Sequence, residues 1–389
     1  MKKQKAFIIF LLVFFVFACS VNSQSKSIYI EGSVMDVFET GIPYASISIP
    51  SKNKGSSTNE EGNFKLSISS NYLSETLIIS SIGYKSFSIK IEDFVNLKEN
   101  VIVLEEDVAE LSEITVLSPI AHLKKAFKNI KKTTINKPHQ LNVLYRRFSV
   151  EDNKARFFVE QYLKILDKGP NTETFNKLEV LEGRKSADYR IVSMKQKLHA
   201  MVFMTRFNTL RTGVNFKKYI WSKIGDTTYD GEDVIIIEGS RWKGDYLRFY
   251  IGLDNYGIFK IENSILNSVY IYKKNSAGKL YLSYHNREWK SKRKLSEYQK
   301  KILGKNSSKI DLSYRHEMFV LGLEMDKKKI KVKNNNLDID IGDMDVPYSA
   351  SFWNNFTAPP ATKFYKKSVR ELESIYGVSI DVQFKILNK

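Results

Sequence analysis

Apolar and polar positions alternate in short runs from Ser27 onward, the period-two pattern of strands with one buried face. Ser27 to Val34 opens with strand-type residues. Tyr44 to Ile49 sets Ala45, Ile47 and Ile49 on one side, and Phe64, Leu66 and Ile68 repeat the pattern. Leu77 to Ser81 is a continuous apolar strand. Phe87, Ile89 and Ile91 alternate again, and Val101–Leu104 and Ile114–Leu117 close the block. Turn signals separate the runs. Gly41 is expected to take a positive φ before Pro43, and Asn59-Glu60-Glu61-Gly62 reads as a solvated hairpin turn without calcium-loop spacing. Short strands at this spacing predict an antiparallel β-sandwich.

Ser118-Pro119 then starts a helix, Ser as N-cap and Pro at the first helical position. Ile120, Leu123, Phe127 and Ile130 recur at helical spacing, with Lys124, Lys125, Lys128, Lys131 and Lys132 on the remaining surface. The expectation is an apolar stripe packed on the next domain and solvated lysines; a basic amphipathic helix on an anionic membrane is the alternative.

From Leu141 the chain is strand-rich again. Residues 145–148 and 157–162 begin it; Asp233–Glu238, Tyr246–Leu253, Ile258–Leu266, Val269–Tyr272 and Lys279–Trp289 come next with tight turns, predicting a large antiparallel meander. Tyr189–Met194 suits a strand, and Leu198–Leu210 suits either helix or strand. Residues 302–340 are polar and lysine-rich, with a loop at 334–336. Lys367–Tyr376 suits a helix ending at Gly377, and Val378–Ile386 a final strand.

Two parts of the chain resemble known families. Gly32-Ser33-Val34, Ile42-Pro43-Tyr44-Ala45, Thr58 through Phe64, Ile82-Gly83-Tyr84-Lys85 and Leu111-Ser112-Glu113-Ile114 together resemble the carboxypeptidase regulatory-like domain. That family implies a non-catalytic, transthyretin-like sandwich of Bacteroidetes-type envelope proteins. Tyr250 to Glu262 is similar to a strand–turn–strand of periplasmic lipoprotein-carrier-like half-barrels, and implies a curved sheet able to hold lipid. The fold class expected is mainly β: sandwich, short helical connector, and a large antiparallel half-barrel-like sheet with a few helices. The boundaries expected are a signal at 1–23, the sandwich at 24–117, the connector at 118–136 and the β-rich remainder at 137–389.

The N-terminus adds an address. Lys2, Lys3 and Lys5 precede an apolar run from Ala6 to Ala18, matching a secretory signal. Two cleavages fit: one between Ser23 and Gln24 would leave a soluble chain, while Val16-Phe17-Ala18-Cys19 resembles a lipoprotein box in which Cys19 is lipidated. Periplasm or outer membrane of a Gram-negative bacterium is expected in either case. Cys19 is the single cysteine, so no internal disulfide can form.

Charge changes the picture less. The chain carries 61 Lys plus Arg against 43 Asp plus Glu, net +18, and the excess is scattered. Such an excess suits nucleic acid, anionic lipid headgroups or acidic polysaccharide as partners, and is equally what a generally Lys-, Asn-, Ile- and Ser-rich composition produces. No nucleic-acid partner is expected, because zinc-finger, RNA-binding and phosphate-loop motifs are missing from the sequence.

Candidate chemistry is sparse. His285-Asn286-Arg287-Glu288 has the His-x-x-Glu form, but in a strand positions three apart face opposite ways. His316 lies further on, and His122, His139 and His199 are scattered. No Gly-x-Ser-x-Gly elbow occurs. Asp226, Asp230, Glu232 and Asp233 cluster around the Asp230-Gly231 turn, where charges ordinarily face solvent. Phe352, Trp353 and Phe356, beside Pro359-Pro360, suit either a sugar platform or a buried anchor for the C-terminal helix. No catalytic, metal or cofactor residue is assigned. The reading is a non-catalytic exported envelope protein binding a partner, a glycan or a lipid. An accessory of TonB-dependent uptake and a hydrolase with a carboxylate pair are the alternatives.

Overall fold

The computed structural model describes residues 27–107, 117–170, 172, 177–192, 201, 205–304, 306–333 and 338–388. Cys19, Ser23, Gln24 and residues 114–116 of the strand expected at Ile114–Leu117 lie outside the described residues.

The first module is a sandwich of two small sheets. Strands β1 (Ser27–Met35), β4 (Asn63–Ser69) and β7 (Val101–Val103) form one, ordered β4-β1-β7 with β1 and β7 parallel. The other is β3-β2-β5-β6, from β2 (Ser46–Ile49), β3 (Lys54–Ser57), β5 (Thr76–Ser80) and β6 (Phe87–Lys90). Alternation puts Ile30, Ile47, Phe64, Leu66 and Ile79 between the sheets, and helix α1 (Ile91–Val95) closes the core with Ile91 and Phe94. Gly41 does not have positive φ. It is small for another reason: a Cβ there would stand 2.1 Å from the Glu61 carbonyl oxygen.

Helix α2 (Pro119–Thr133) leads into a curled antiparallel sheet. Its strands are β8 (His139–Glu151), β9 (Lys154–Asp167), β10 (Lys177–Lys185), β11 (Ile220–Tyr229), β12 (Glu232–Ser240), β13 (Tyr246–Gly252), β14 (Ile258–Asn263), β15 (Ser268–Lys274), β16 (Leu280–Lys294) and β17 (Lys309–Glu324). A short helix α3 (Thr209–Thr212) precedes β11, and α4 (Glu297–Leu303) joins β16 to β17. The spatial order is β11-β12-β13-β14-β15-β16-β17-β8-β9-β10. Register breaks at Lys223/Gly225, Tyr250/Ile251, Ile271/Tyr272 and Val320/Gly322 bend the strands and curl the sheet into a half-barrel.

The two faces are covered differently. On the inner face, Leu123, Ala126 and Ile130 of α2 enter the main core with Tyr145, Phe249, Ile261 and Met318. Phe127 meets Phe249 and Phe216 edge-on, 5.7 Å between ring centroids in each pair, while Lys124, Lys128 and Lys131 stay exposed. The outer face carries the sandwich and three C-terminal helices, α5 (Ala350–Asn355), α6 (Lys363–Tyr376) and α7 (Ile380–Leu387).

The polar segment 302–340 contains β17, a central strand whose Arg315 and Glu317 are paired while Lys309 and Asp311 at its start stay exposed. Two strand expectations fail here. The strand expected at Tyr189–Met194 is not found at 189–192, which lie beyond the end of β10 at Lys185, and residues 193–194 lie outside the described residues. Residues 380–387 form helix α7, not a strand: Ser379 accepts from the Val382 N–H at 3.4 Å, and Ile380, Gln383 and Phe384 are buried at helical spacing.

Candidate binding cleft between the sandwich and the curled sheet

Strand alternation decides which side chains can form a site on the outer face. Opposite residues Leu144 and Phe319, Arg146 and Glu317, and Phe148 and Arg315 of β8 and β17 share that face. Tyr284, Asn286 and Glu288 continue it across β16. The Asn59–Gly62 turn docks here rather than meeting water. Glu60 pairs with Arg315, Asn59 Nδ2 donates to the Pro360 carbonyl at 3.1 Å, and the Lys363 N–H donates to Glu61 Oε1 at 3.0 Å. Tyr44 stacks on Tyr284, donates to Glu60 Oε1 at 3.2 Å and accepts from Asn286 Nδ2 at 3.3 Å. Burial raises both tyrosine pKa values, so both hydroxyls stay protonated. Below them Glu160, 1% exposed, binds Arg184 at 2.6 and 2.8 Å and lies 3.3 Å from Arg146 Nε. At the far end the Gly83 N–H donates to the Thr228 carbonyl at 2.8 Å.

The docking leaves a cleft of about 560 Å³ between β3 and β4 of the sandwich, the start of β8 with the end of β17, and α5. One wall is aromatic. Phe352 and Phe356 stack at 5.1 Å, and Tyr162 of β9 meets them at 5.5 and 5.2 Å; all three rings are half-buried. Trp353 points inward, 7% exposed under the Arg184 guanidinium at 4.3 Å, and meets Phe352 and Phe356 edge-on. The expected cluster thus divides: Phe352 and Phe356 form a wall, while Trp353 packs on Leu144, Tyr284 and Phe319 of the sheet. The opposite wall is cationic and polar, with Lys54, Lys65, Lys329, Gln140 and Asn142. Lys54 Nζ donates to the Ser67 carbonyl at 3.0 Å and has no carboxylate partner among the described residues; burial lowers its pKa. Glu324 is the one acid lining this cleft among the described residues. None of the lysines carried a motif, because they meet only when β3 and β4 are laid against β17.

The other candidates separate. His285 shares the inner face with Met318, while Glu288 lies on the outer face opposite Arg315. His285 donates from Nδ1 to the Val269 carbonyl at 2.9 Å, and burial holds its pKa down to about 3. His316, its diagonal neighbour, bonds Tyr145 through Nδ1; burial and the cations Arg147 and Arg287 hold it well below the ordinary value. His122 stacks on Tyr256, His139 accompanies Asp167, and His199 lies outside the described residues. Asp226 pairs with Lys223 at 2.7 Å, and Asp230, φ 55°, occupies the β11–β12 turn. Glu232, expected in solvent, is 3% exposed and binds Lys274 at 2.9 Å: it opens β12 and turns inward beneath the β13–β14 turn, accepting from the Asp254 N–H at 3.2 Å. Among the described residues no three His, Cys, Asp or Glu side chains come together as a metal site.

Residues 30–116 match the family model of the CarboxypepD_reg-like domain. This agrees with the sandwich and leaves the curled sheet outside the match. No curated protein matches the chain. Among solved structures, a domain assigned as a putative outer membrane lipoprotein-sorting protein of Vibrio parahaemolyticus shares 11% identity, covering 54% of this chain and 92% of its own, with a TM-score of 0.23. A DUF1329 family protein from Desulfovibrio piger shares 11%, covering 55% and 96%, with a TM-score of 0.26. At those scores the likeness carries no functional argument. No helix among the described residues is long and apolar enough to cross a membrane.

Proposed function

We propose that this is a non-catalytic, exported cell-envelope protein that binds an acidic glycan in the cleft between its regulatory-like domain and its curled sheet. The observation that carries this reading is the pairing of walls. Half-buried rings of Tyr162, Phe352 and Phe356 offer apolar faces for the C–H side of a sugar. Gln140, Asn142, Ser67 and Ser351 supply hydroxyl partners, and Lys54, Lys65 and Lys329 supply positive charge. The cleft lies within the size range of small-ligand sites. A lipid in the inner face is less well supported, because Leu123, Ala126, Phe127 and Ile130 of α2 already cover it.

The full-length chain, run through gels containing polygalacturonate, alginate or neutral glucan, tests this directly. Retardation by the acidic polymers only, weakened by salt and by Phe356→Ala, is the expected result. Equal mobility in every gel contradicts it.

A further inference from the structure

A second cleft, of about 300 Å³, lies on the opposite side of the sandwich contact, between β2 and β5 and the outer face of β14–β16. This volume is at the lower end of small-molecule sites. Lys273 lines it. Val269, Ile271 and Lys273 of β15 face outward while Tyr270 and Tyr272 enter the inner core. The sandwich then covers the lysine, leaving it 5% exposed. Its Nζ sits against Gly55 of β3, where a Cβ would stand 2.8 Å from it, and 5.7 Å from the centroid of the Tyr281 ring.

No hydrogen bond or ion pair satisfies this ammonium among the described residues. The contrast with its neighbours is informative. Lys274 pairs with Glu232 at 2.9 Å, and Lys260 with Glu262 at 2.6 Å. A buried lysine without a partner is costly to keep, so the position calls for a counter-charge from outside the chain.

We propose that this cleft binds a small hydroxy acid or sugar acid, with one carboxylate seated on Lys273 and the hydroxyls of the ligand among Ser46, Ser80, Tyr84 and Tyr229. One cation suits one negative charge. Glu262 on the wall, held by Arg248 and Lys260, accepts from hydroxyls and repels a second charge, which disfavours phosphate dianion. Burial alone pushes the Lys273 pKa down to about 8, and a seated carboxylate would raise it again.

The site is independent of the larger cleft and is read at its own atom. Full-length protein carrying 13Cε-labelled lysine is titrated with acetate, glycolate, D-galacturonate, D-galactose and inorganic phosphate, with Lys273→Met assigning the signal. The expected result is a saturable shift of the Lys273 resonance toward the protonated form with the carboxylates, tightest for the hydroxylated ones, and none with galactose. In 15N-labelled protein, galacturonate affinity read from the amide resonances of the cleft residues Ser80 and Ile271 should fall about tenfold or more in Lys273→Gln. Lack of response to every carboxylate, a response to phosphate alone, or a galacturonate affinity of that site unchanged in Lys273→Gln overturns the proposal. The wild-type titration stands by itself if either variant fails to fold.

Discussion

Tyr44 of the sandwich stacks on Tyr284 of β16, ring centroids 4.3 Å apart and planes 23° from parallel. Tyr44 does so with a φ of 60°, a left-handed conformation uncommon for a side chain of this size. The stack marks the point where the first module is clamped to the second, with Asn286 and Glu60 holding its hydroxyl. Tyr44→Ala should therefore loosen the clamp rather than either core. The expected loss is on the order of 2 kcal/mol. Hydrogen exchange should quicken in β2 and β3 and stay unchanged in β12 and β13.

Glu160 answers two guanidiniums. Arg184 forks onto one carboxylate oxygen and Arg146 approaches the other as an ion pair. Glu160→Gln leaves the buried Arg146 and the half-buried Arg184 short of charge, and urea unfolding should show a loss of roughly 3 kcal/mol. Arg315→Gln, at the half-buried Glu60 contact, should cost about 1 kcal/mol or less.

The inner-face histidines make acid stability testable. His285 and His316 are both held neutral by burial, with folded pKa values below the unfolded 6.5. The unfolded chain takes up protons first, so their contribution is complete above pH 6.5 and is lost as pH falls below it. The slope approaches about 2.7 kcal/mol per pH unit while both titrate only in the unfolded state. His285→Gln should halve the part of that slope due to the pair, measured as wild type minus variant between pH 6.5 and 4.5.

Lys273 gives the opposite signature. Its folded pKa of about 8 lies below the ordinary 10.5, so the protonated form is disfavoured on folding. The penalty is full below pH 8 and is relieved as pH rises toward 10.5. Lys273→Met should raise stability at pH 7 by on the order of 3 kcal/mol, with the difference shrinking above pH 8. Denaturation at pH 7 and 9.5 reads both.

Legibility in the sequence tracked burial geometry. Phe64, Leu66 and Ile68 alternate because their other face meets solvent, so the sandwich was readable. The β17 strand was not: Arg315 and Glu317 look solvated in sequence, yet they are covered by Glu60 and Arg146 from distant elements. The period-two run Val378, Ile380, Val382, Phe384 and Ile386 misled in the other direction. Contact with β10 and α6 selects Ile380, Gln383 and Phe384, leaving Val382 and Ile386 exposed on a helix. Lys273 reads as the polar end of a strand, and only the docked sandwich makes it a buried cation. Of the aromatic wall, Phe352 and Phe356 were legible as a cluster, whereas Tyr162 reaches it from a strand far earlier in the chain.

Isothermal titration of the full-length protein with a defined uronate oligomer, with mass analysis of the recovered sugar, tests the central claim most directly. Binding that Phe356→Ala weakens, with the oligomer recovered intact, is the predicted result. No heat of binding, or an oligomer returned shortened, would contradict a non-catalytic acidic-glycan cleft.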